Sequence, residues 1–507
     1  MNPLEASTIV AVVGAGSMGS GIAQVAAQAG HFVLLYDNRP SAAGAAVEEL
    51  DRQLEKVQKK GKISPKLREQ VISRIRPVES LNELAVAGLV IEAIVENLDV
   101  KRHLFAELES ICSENCILAS NTSSLSITSI AAGLRRPGRF LGVHFFNPAP
   151  VMALVEIVSG LATFPEISEA LYEVARQWGK TPVHTRSTPG FIVNRVARPF
   201  YAESFRQLQE GSTDCATLDA LMRDAGGFRM GAFELTDLIG HDVNYAVTCS
   251  VFDAYYGDMR FQPSLVQKEL VDAGRFGRKS GRGFYDYGPN APRAVVSEIR
   301  SPQVVTNCVV EGDLGVAQGL VARFEAVGIK VERRAGSGLV RIGDAVLAMS
   351  DGRTACERAK SDGLKNLVLF DLAHDYSSAK RIAVSFSSGA SVHARDQAIG
   401  LLQLAGLIPS LLADLPGLIV LRTVAMLANE AADAVLQGVS SAADIDLAMC
   451  KGVNYPEGPL AWAERVGLST MLVVLENLQA SYGESRYRPS LLLRRQVAER
   501  RHFHDEL

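Results

Sequence analysis

Residues 8–13 read Thr-Ile-Val-Ala-Val-Val, a β-branched run that suits a strand buried on both faces of a parallel sheet. The run passes directly into Gly14-Ala15-Gly16-Ser17-Met18-Gly19. An Ala-rich helical stretch follows over residues 21–29 and closes at Gly30, and a second apolar run, Phe32 to Tyr36, ends in Asp37. Few folds accommodate that order of strand, glycine turn, helix, strand and acid. Gly14 allows the tight turn, Gly16 lets backbone approach a pyrophosphate, and Gly19 brings helix against strand. The N-terminus of the helix that follows presents free N–H groups and the positive end of its dipole to phosphate, with Ser17 and Met18 in the turn as further expected cofactor contacts. Asp37 suits the hydroxyls of an adenosine ribose and repels a 2′-phosphate, which points to NAD, while Arg39 two residues on leaves NADP open.

The 507 residues predict about three to five domains. A hydrophobic share of 47% with 21% charged residues excludes a largely disordered chain. With 52 Lys+Arg against 56 Asp+Glu, the formal charge of −4 predicts neither a nucleic acid nor an anionic membrane as partner. Seven cysteines, with Cys112 and Cys116 spaced as helical neighbours, fit a reducing compartment, and no Cys/His cluster has metal spacing. Met1-Asn2-Pro3-Leu4-Glu5 lacks the basic and apolar regions of a signal peptide, and the apolar stretch Leu415 to Leu427 is interrupted by Pro416 and Arg422. A cytoplasmic protein with no metal and no membrane partner is expected.

Beyond residue 88, the apolar run Leu89 to Ile94 is broken by Glu92 and leads to Glu96 and Lys101, at the strand's C-terminal end where open α/β sheets bind ligands. Three further segments carry reactive groups. Ser120-Asn121-Thr122-Ser123-Ser124 follows the buried run Cys116 to Ala119. His144 stands between apolar strand residues and Pro148, with Glu156 inside the apolar run Val155 to Val158. Asn194 lies on the first turns of a helix begun after Pro189-Gly190. Hydride transfer from an alcohol needs a base, and imidazole titrates nearest neutral pH. A carboxylate on its other nitrogen would fix the tautomer.

In these motifs the chain resembles the L-3-hydroxyacyl-CoA dehydrogenases. The resemblance is carried by GAGSMGSGIA (Gly14 to Ala23), EAIVENLDVK (Glu92 to Lys101), SNTSSL (Ser120 to Leu125), HFFNP (His144 to Pro148), LVEIV (Leu154 to Val158), PGFIVNR (Pro189 to Arg195) and KSGRGFYDY (Lys279 to Tyr287). It implies His144 as general base, Glu156 as its orienting partner, and Ser123 and Asn194 as hydrogen-bond donors to the substrate's 3-oxygen. It also implies Asp37, Glu96 and Lys101 as NAD contacts, with Ser120 and Asn121 beside the nicotinamide. An acyl-CoA thioester is the implied substrate. Lys60, in the basic segment Lys56 to Lys62, is the expected contact to a CoA phosphate. Arg229 and Ala232 depart from the family pattern in a turn where loop geometry and acyl-chain preference are at stake.

After a linker at Pro289 to Arg293, self-similarity appears at an offset of 227 residues. Pro189/Pro416, Gly190/Gly417, Ile192/Ile419, Val193/Val420, Arg195/Arg422, Glu203/Glu430, Asp219/Asp446 and Gly240/Gly467 are among its identical pairs. The second copy has Leu421 where the first has Asn194. Between the copies, strand-like runs at Val304 to Val310, Leu367 to Leu372 and Ile382 to Phe386 alternate with helical ones, without GxGxxG. Val384-Ser385-Phe386 falls where His144 would correspond. The expected architecture is an α/β Rossmann-type NAD domain (1–187), an all-α domain (188–288), a degenerate α/β segment (289–415) and a second all-α domain (416–507). The helical domains are expected to pair in a homodimer or as an intrachain pseudo-dimer. Members of this length resemble the 3-hydroxyadipyl-CoA and 3-hydroxybutyryl-CoA enzymes of bacterial phenylacetate catabolism. Arg195, Arg198 and Arg206 are expected as solvated helix arginines, with contact to a distal substrate carboxylate as the alternative. Two other readings remain at this point, a non-catalytic NAD- or CoA-binding homologue and a dehydrogenase acting on a free hydroxy or sugar acid.

Overall fold

The computed structural model describes residue 5 and residues 7–505, so the Met1–Leu4 segment read for targeting features lies outside the described residues. The chain divides into two compact units, Met1–Arg195 with Gln437–Val453, and Val196–Leu436 with Asn454–Leu507.

In the first unit the β-branched run forms β1 (Val10–Val13), every residue of which is buried. With it come β2 (Val33–Tyr36), β3 (Ile75–Val78), β4 (Leu89–Glu92), β5 (Ile117–Ser120), β6 (Phe140–Phe145), β7 (Leu154–Ser159) and β8 (Thr181–Arg186). Their spatial order is β3-β2-β1-β4-β5-β6-β7-β8. Neighbours run parallel except β6 and β7, which are antiparallel. Strand order reverses direction between β1 and β4, the position at which such sheets open a crevice for a nucleotide. The Ser17–Gln28 helix leaves β1 through the glycine turn. The Ala42–Lys59 helix after β2 buries Ala43, Leu50 and Leu54 and turns its charged residues outward. Cys112 caps the Leu98–Ile111 helix and Cys116 precedes β5, so a turn separates the two cysteines and they are not neighbours on one helix.

The Ala442–Gly452 helix, from the second helical copy, packs within this unit on β7 and β8. Arg186 N donates to the Val439 carbonyl at 2.9 Å, and Ser440 Oγ donates to the His184 carbonyl at 2.5 Å.

The second unit holds a seven-stranded sheet of β9 (Asn307–Glu311), β10 (Lys330–Arg334), β11 (Leu339–Ile342), β12 (Ala345–Met349), β13 (Leu367–Phe370), β14 (Arg381–Phe386) and β15 (Ile408–Leu411), in the order β10-β9-β11-β12-β13-β14-β15. From β12 to β15 the senses run parallel, antiparallel, parallel, the sequence of senses found from β5 to β8. The sheet is a reduced relative of the first. The strand corresponding to β6 is therefore β13, and Val384-Ser385-Phe386 on β14 corresponds to β7, which corrects the placement expected from linear spacing. Short strands with few apolar residues, such as β10 with its exposed charged residues, left no period-2 signal to read.

Within this unit the Arg198–Gln209 helix packs on the Val420–Leu436 helix of the second copy. Arg422 is fully buried there, its Nε donating to Glu203 Oε2 at 2.5 Å and its Nη groups to the hydroxyls of Tyr482 and Tyr487. The Cys215–Asp224 helix packs on β14. Pro199 stands in the first turn of the Arg198–Gln209 helix, where its missing N–H is harmless. The second copy has Met426 at that repeat position, inside an unbroken helix.

The three arginines expected in solvent are not there. Arg195 and Arg198 are buried, Arg198 Nη1 donating to Thr248 Oγ1 at 3.0 Å, and Arg206 makes paired bonds of 2.6 Å to the Glu484 carboxylate. Helix periodicity leaves a long cationic side chain on the boundary face free to be either solvated or paired, and here carboxylates and rings meet it.

Asp371, just past β13, is buried completely and accepts the backbone N–H groups of Leu372, Ile419, Val420 and Leu421, closing the turn that starts the Val420–Leu436 helix. Burial pushes its carboxyl up to about 6 against the pull of those four donors. Because the folded state holds the proton more tightly than the unfolded chain, the group's contribution is greatest below its unfolded value near 4 and declines as pH rises through 6. Asp371→Ala is expected to lower the urea midpoint of the second unit's unfolding, with a deficit of about 2–4 kcal/mol at pH 4.5 that narrows at pH 7. A deficit that grew with pH would contradict this assignment.

Candidate active site

His144 and Glu156 are cross-strand partners in the antiparallel β6–β7 ladder, so strand register alone sets their side chains against each other. His144 Nδ1 lies 2.6 Å from Glu156 Oε2. Glu156 is completely buried and His144 nearly so, with the ring beside Phe146 and Phe191 at centroid distances of 4.5 and 5.9 Å. A buried carboxylate needs partners for its remaining lone pairs. Glu156 Oε1 finds them in the N–H groups of Ile192 and Val193, at 2.9 and 3.1 Å. Gly190 and Phe191 both have positive φ, 76° and 48°, which turns the chain so that those N–H groups converge. Asn194 follows directly, half-buried.

The segment after β5 is held by a second buried cluster. Lys101 Nζ, 1% exposed, sits 2.5 Å from Glu92 Oε1 and 3.2 Å from Glu96 Oε2. Ser120 Oγ donates to Glu92 Oε2 at 2.6 Å. Glu96 Oε1 in turn accepts Thr122 Oγ1 at 2.5 Å, Ser123 N at 3.1 Å and Ser124 Oγ at 3.0 Å. Burial raises the Glu96 carboxyl, but Lys101 and the hydroxyls outweigh it and hold the group below its ordinary range. Asn121 Oδ1 accepts Phe145 N at 2.8 Å, tying this segment to the strand that carries His144. Lys180 Nζ donates to the carbonyls of Ala149 and Met152, closing the loop beyond His144, and burial lowers its amine.

Lys101 and Ser120 are both buried in this cluster, 1% and 0% exposed. Glu92, read in the sequence only as an interruption of a strand, is the centre that holds both. A lone carboxylate in an apolar strand with a lysine nine residues on is the signal that pointed to it.

The glycine turn fits a dinucleotide. A Cβ on Gly14, whose φ is +103°, would lie 2.5 Å from the Ala93 carbonyl oxygen, and one on Gly19 would lie 1.8 Å from the Gly14 oxygen. Gly16 is exposed with open space around it, as an approaching phosphate requires. Asp37 Oδ2 accepts Ala15 N at 2.9 Å, and Oδ1 accepts the N and Nε of Arg39, each at 3.0 Å. Partial burial raises this carboxyl, but Arg39 and Ala15 outweigh it and keep it below its usual range. Asp37 and Arg39 line a cavity of about 530 Å³ with Ile94, Val95 and Leu104, on the side of the turn where an adenosine belongs. A second cavity, of about 590 Å³, runs between the Ser17–Gln28 and Ala42–Lys59 helices and ends at Val57 and Ile63, flanking the exposed Lys60. Among the described residues no His/Cys/Asp/Glu group has the composition of a metal site, and no helix is long and apolar enough to cross a membrane.

A doubly wound sheet whose first turn accepts a dinucleotide, with an imidazole–carboxylate pair on strands further along it, defines an NAD-dependent dehydrogenase. The comparisons narrow that class. Residues 9–188 match the 3-hydroxyacyl-CoA dehydrogenase NAD binding domain, and residues 190–287 and 417–504 both match that family's C-terminal domain. Residues 347–416 match the 3-hydroxybutyryl-CoA dehydrogenase reduced Rossmann-fold domain. The chain belongs to the 3-hydroxyacyl-CoA dehydrogenase family. It is 46% identical to the 3-hydroxyadipyl-CoA dehydrogenase of Escherichia coli K12, over 96% of this chain and 97% of that protein. A probable 3-hydroxybutyryl-CoA dehydrogenase of Bacillus subtilis is 44% identical over 55% of this chain and 96% of its own length. The crystal structure of a 3-hydroxybutyryl-CoA dehydrogenase from E. coli K12 superposes with a TM-score of 0.89 at 45% identity, covering 98% of this chain and 99% of that one.

Glu92→Ala leaves Lys101 buried without its nearest counter-charge and should cost about 3–5 kcal/mol of stability, seen as a lowered melting temperature. Asp37→Ser should raise KM for NAD about tenfold or more and free Arg39 to accept NADP, measured by initial rates with each cofactor. An unchanged ratio of the two rates would remove Asp37 from the cofactor site.

Proposed function

We propose that the chain oxidises a (3S)-3-hydroxyacyl-CoA to the 3-oxoacyl-CoA with His144 as the general base, and that its reach extends to the 3-hydroxybutyryl and 3-hydroxyadipyl thioesters on which its relatives act. The observation that carries the reading is the 2.6 Å contact of His144 Nδ1 with a Glu156 whose other oxygen is committed to backbone. Nδ1 is thereby occupied, and Nε2 is the ring atom left to take the 3-hydroxyl proton. Glu156 holds the ring in that tautomer and offsets the imidazolium charge once the proton has moved. Ser123 and Asn194 serve as donors to the 3-oxygen, polarising the ketone in the reverse direction. The glycine turn, Ser17, Met18 and Asp37 hold the dinucleotide, with Glu96 and Asn121 shaping the segment beside its reactive ring. NAD, when bound, accepts the hydride from C3. Lys60, exposed and three residues from both Val57 and Ile63 of the 590 Å³ cavity, is the contact for a CoA phosphate.

The paired helical copies, joined through Arg422 and Glu203 in the second unit, support an intrachain pseudo-dimer that does not need a second subunit. All seven cysteines are free, as suits the reducing cytoplasm in which we place the reaction.

An NADH-absorbance assay tests the assignment. His144→Ala is expected to lower kcat by about 10²–10⁴-fold with KM for NAD little changed, and Glu156→Gln to lower kcat by a smaller factor. Comparable kcat/KM for 3-hydroxybutyryl-CoA and 3-hydroxyadipyl-CoA would support the breadth proposed, and turnover of neither would refute the reading.

A further inference from the structure

The second helical copy carries Leu421 in place of Asn194, yet one of its helices lies against β7, the strand that bears Glu156, and against β8. We propose that Gly452, the last residue of the Ala442–Gly452 helix, is a positioning residue for the His144–Glu156 pair, acting through Leu154 and Val193. This inference rests on the catalytic reading above.

The contact leaves no room for a side chain. A Cβ at Gly452 would stand 2.6 Å from Leu154 Cδ2 and 3.2 Å from Val193 Cγ2. Leu154 is fully buried and Val193 nearly so, so neither can swing into solvent, and any shift must be taken up by the packing around them. Leu154 precedes Glu156 by two residues on β7, on the same face of the strand. Val193 supplies one of the two N–H groups on Glu156 Oε1 and adjoins Asn194. Gly452 therefore sits against both elements whose separation determines where the Glu156 carboxylate stands, and that carboxylate sets the imidazole. The helix is fixed in this place by the Arg186–Val439 and His184–Ser440 hydrogen bonds to β8.

The repeat supplies a natural contrast. At the offset of 227 residues the first copy has Ala225, following the helix that packs on β14 of the second sheet. Alanine is accommodated there, buried, against strands that carry no histidine–carboxylate pair. Gly452 does not have positive φ, so its requirement is for space and not for backbone freedom. Helix propensity alone would favour alanine at the end of this helix. Propensity and position thus push in opposite directions, and their effects are separable.

The test measures Gly452→Ala, Leu154→Val and the double variant, with Lys451→Ala, an exposed change on the same helix, as control. Gly452→Ala is expected to lower kcat about tenfold while KM for NAD stays within about twofold, since the glycine turn lies on other strands. Leu154→Val removes the atom that the new methyl meets, and the double variant should recover most of the lost kcat. Wild-type kcat in Gly452→Ala, no recovery in the double variant, or an equal loss in Lys451→Ala would overturn the proposal. If His144→Ala kept its turnover, the catalytic reading itself would fail. A dead His144→Ala beside a fully active Gly452→Ala would remove only the role of Gly452.

Discussion

The Glu156 carboxylate is the interaction on which the first unit's site depends. It reaches from β7 to the imidazole on β6 with one oxygen and to the N–H groups of Ile192 and Val193 with the other. Three chain segments, 12 and 36 residues apart, therefore meet at one buried charge. Such a charge is tolerated in an apolar interior only when nearly every lone pair is used, which makes the group intolerant of small displacements. The antiparallel step in an otherwise parallel sheet makes the arrangement possible, because it sets His144 and Glu156 directly opposite on facing positions.

The second unit shows what happens when the same joint is built differently. Asp371 also closes a Pro-Gly turn by accepting the N–H groups of Ile419, Val420 and Leu421, but it stands just past β13, the counterpart of β6. The carboxylate thus follows the counterpart of the strand that bears the histidine in the first unit, and backbone consumes both of its oxygens. No acceptor is left to orient a ring. What the duplication retained is the anchoring of a helix start by a buried acid; what it lacks is the division of labour between two strands.

How much of this was legible in the sequence follows from which signals are local. The glycine turn with Asp37 and the His144 and Glu156 strands are patterns within short windows, and the repeat is a match of such windows at one offset. Arg198 and Arg206 have fates set by distant partners. Thr248, with the Tyr201 ring, encloses the first, and Glu484 holds the second. A charged residue on a helix reads the same in sequence whether water or a carboxylate meets it. The match of β13 with β6 was also out of reach of linear spacing, since loops of different length intervene and only hydrogen-bonded neighbours define the order.

Leu421 follows from the same physics. Its side chain is fully buried, whereas Asn194 is half-exposed. An amide at 421 would bring two N–H donors and a carbonyl into an interior where Asp371 is already saturated by backbone, and each unmet group costs on the order of 1–3 kcal/mol. Absence of the amide and closure of the surrounding space thus go together, because a polar side chain tolerated at a partly open position becomes a liability where that position is filled. At this position the second copy is packed as a core.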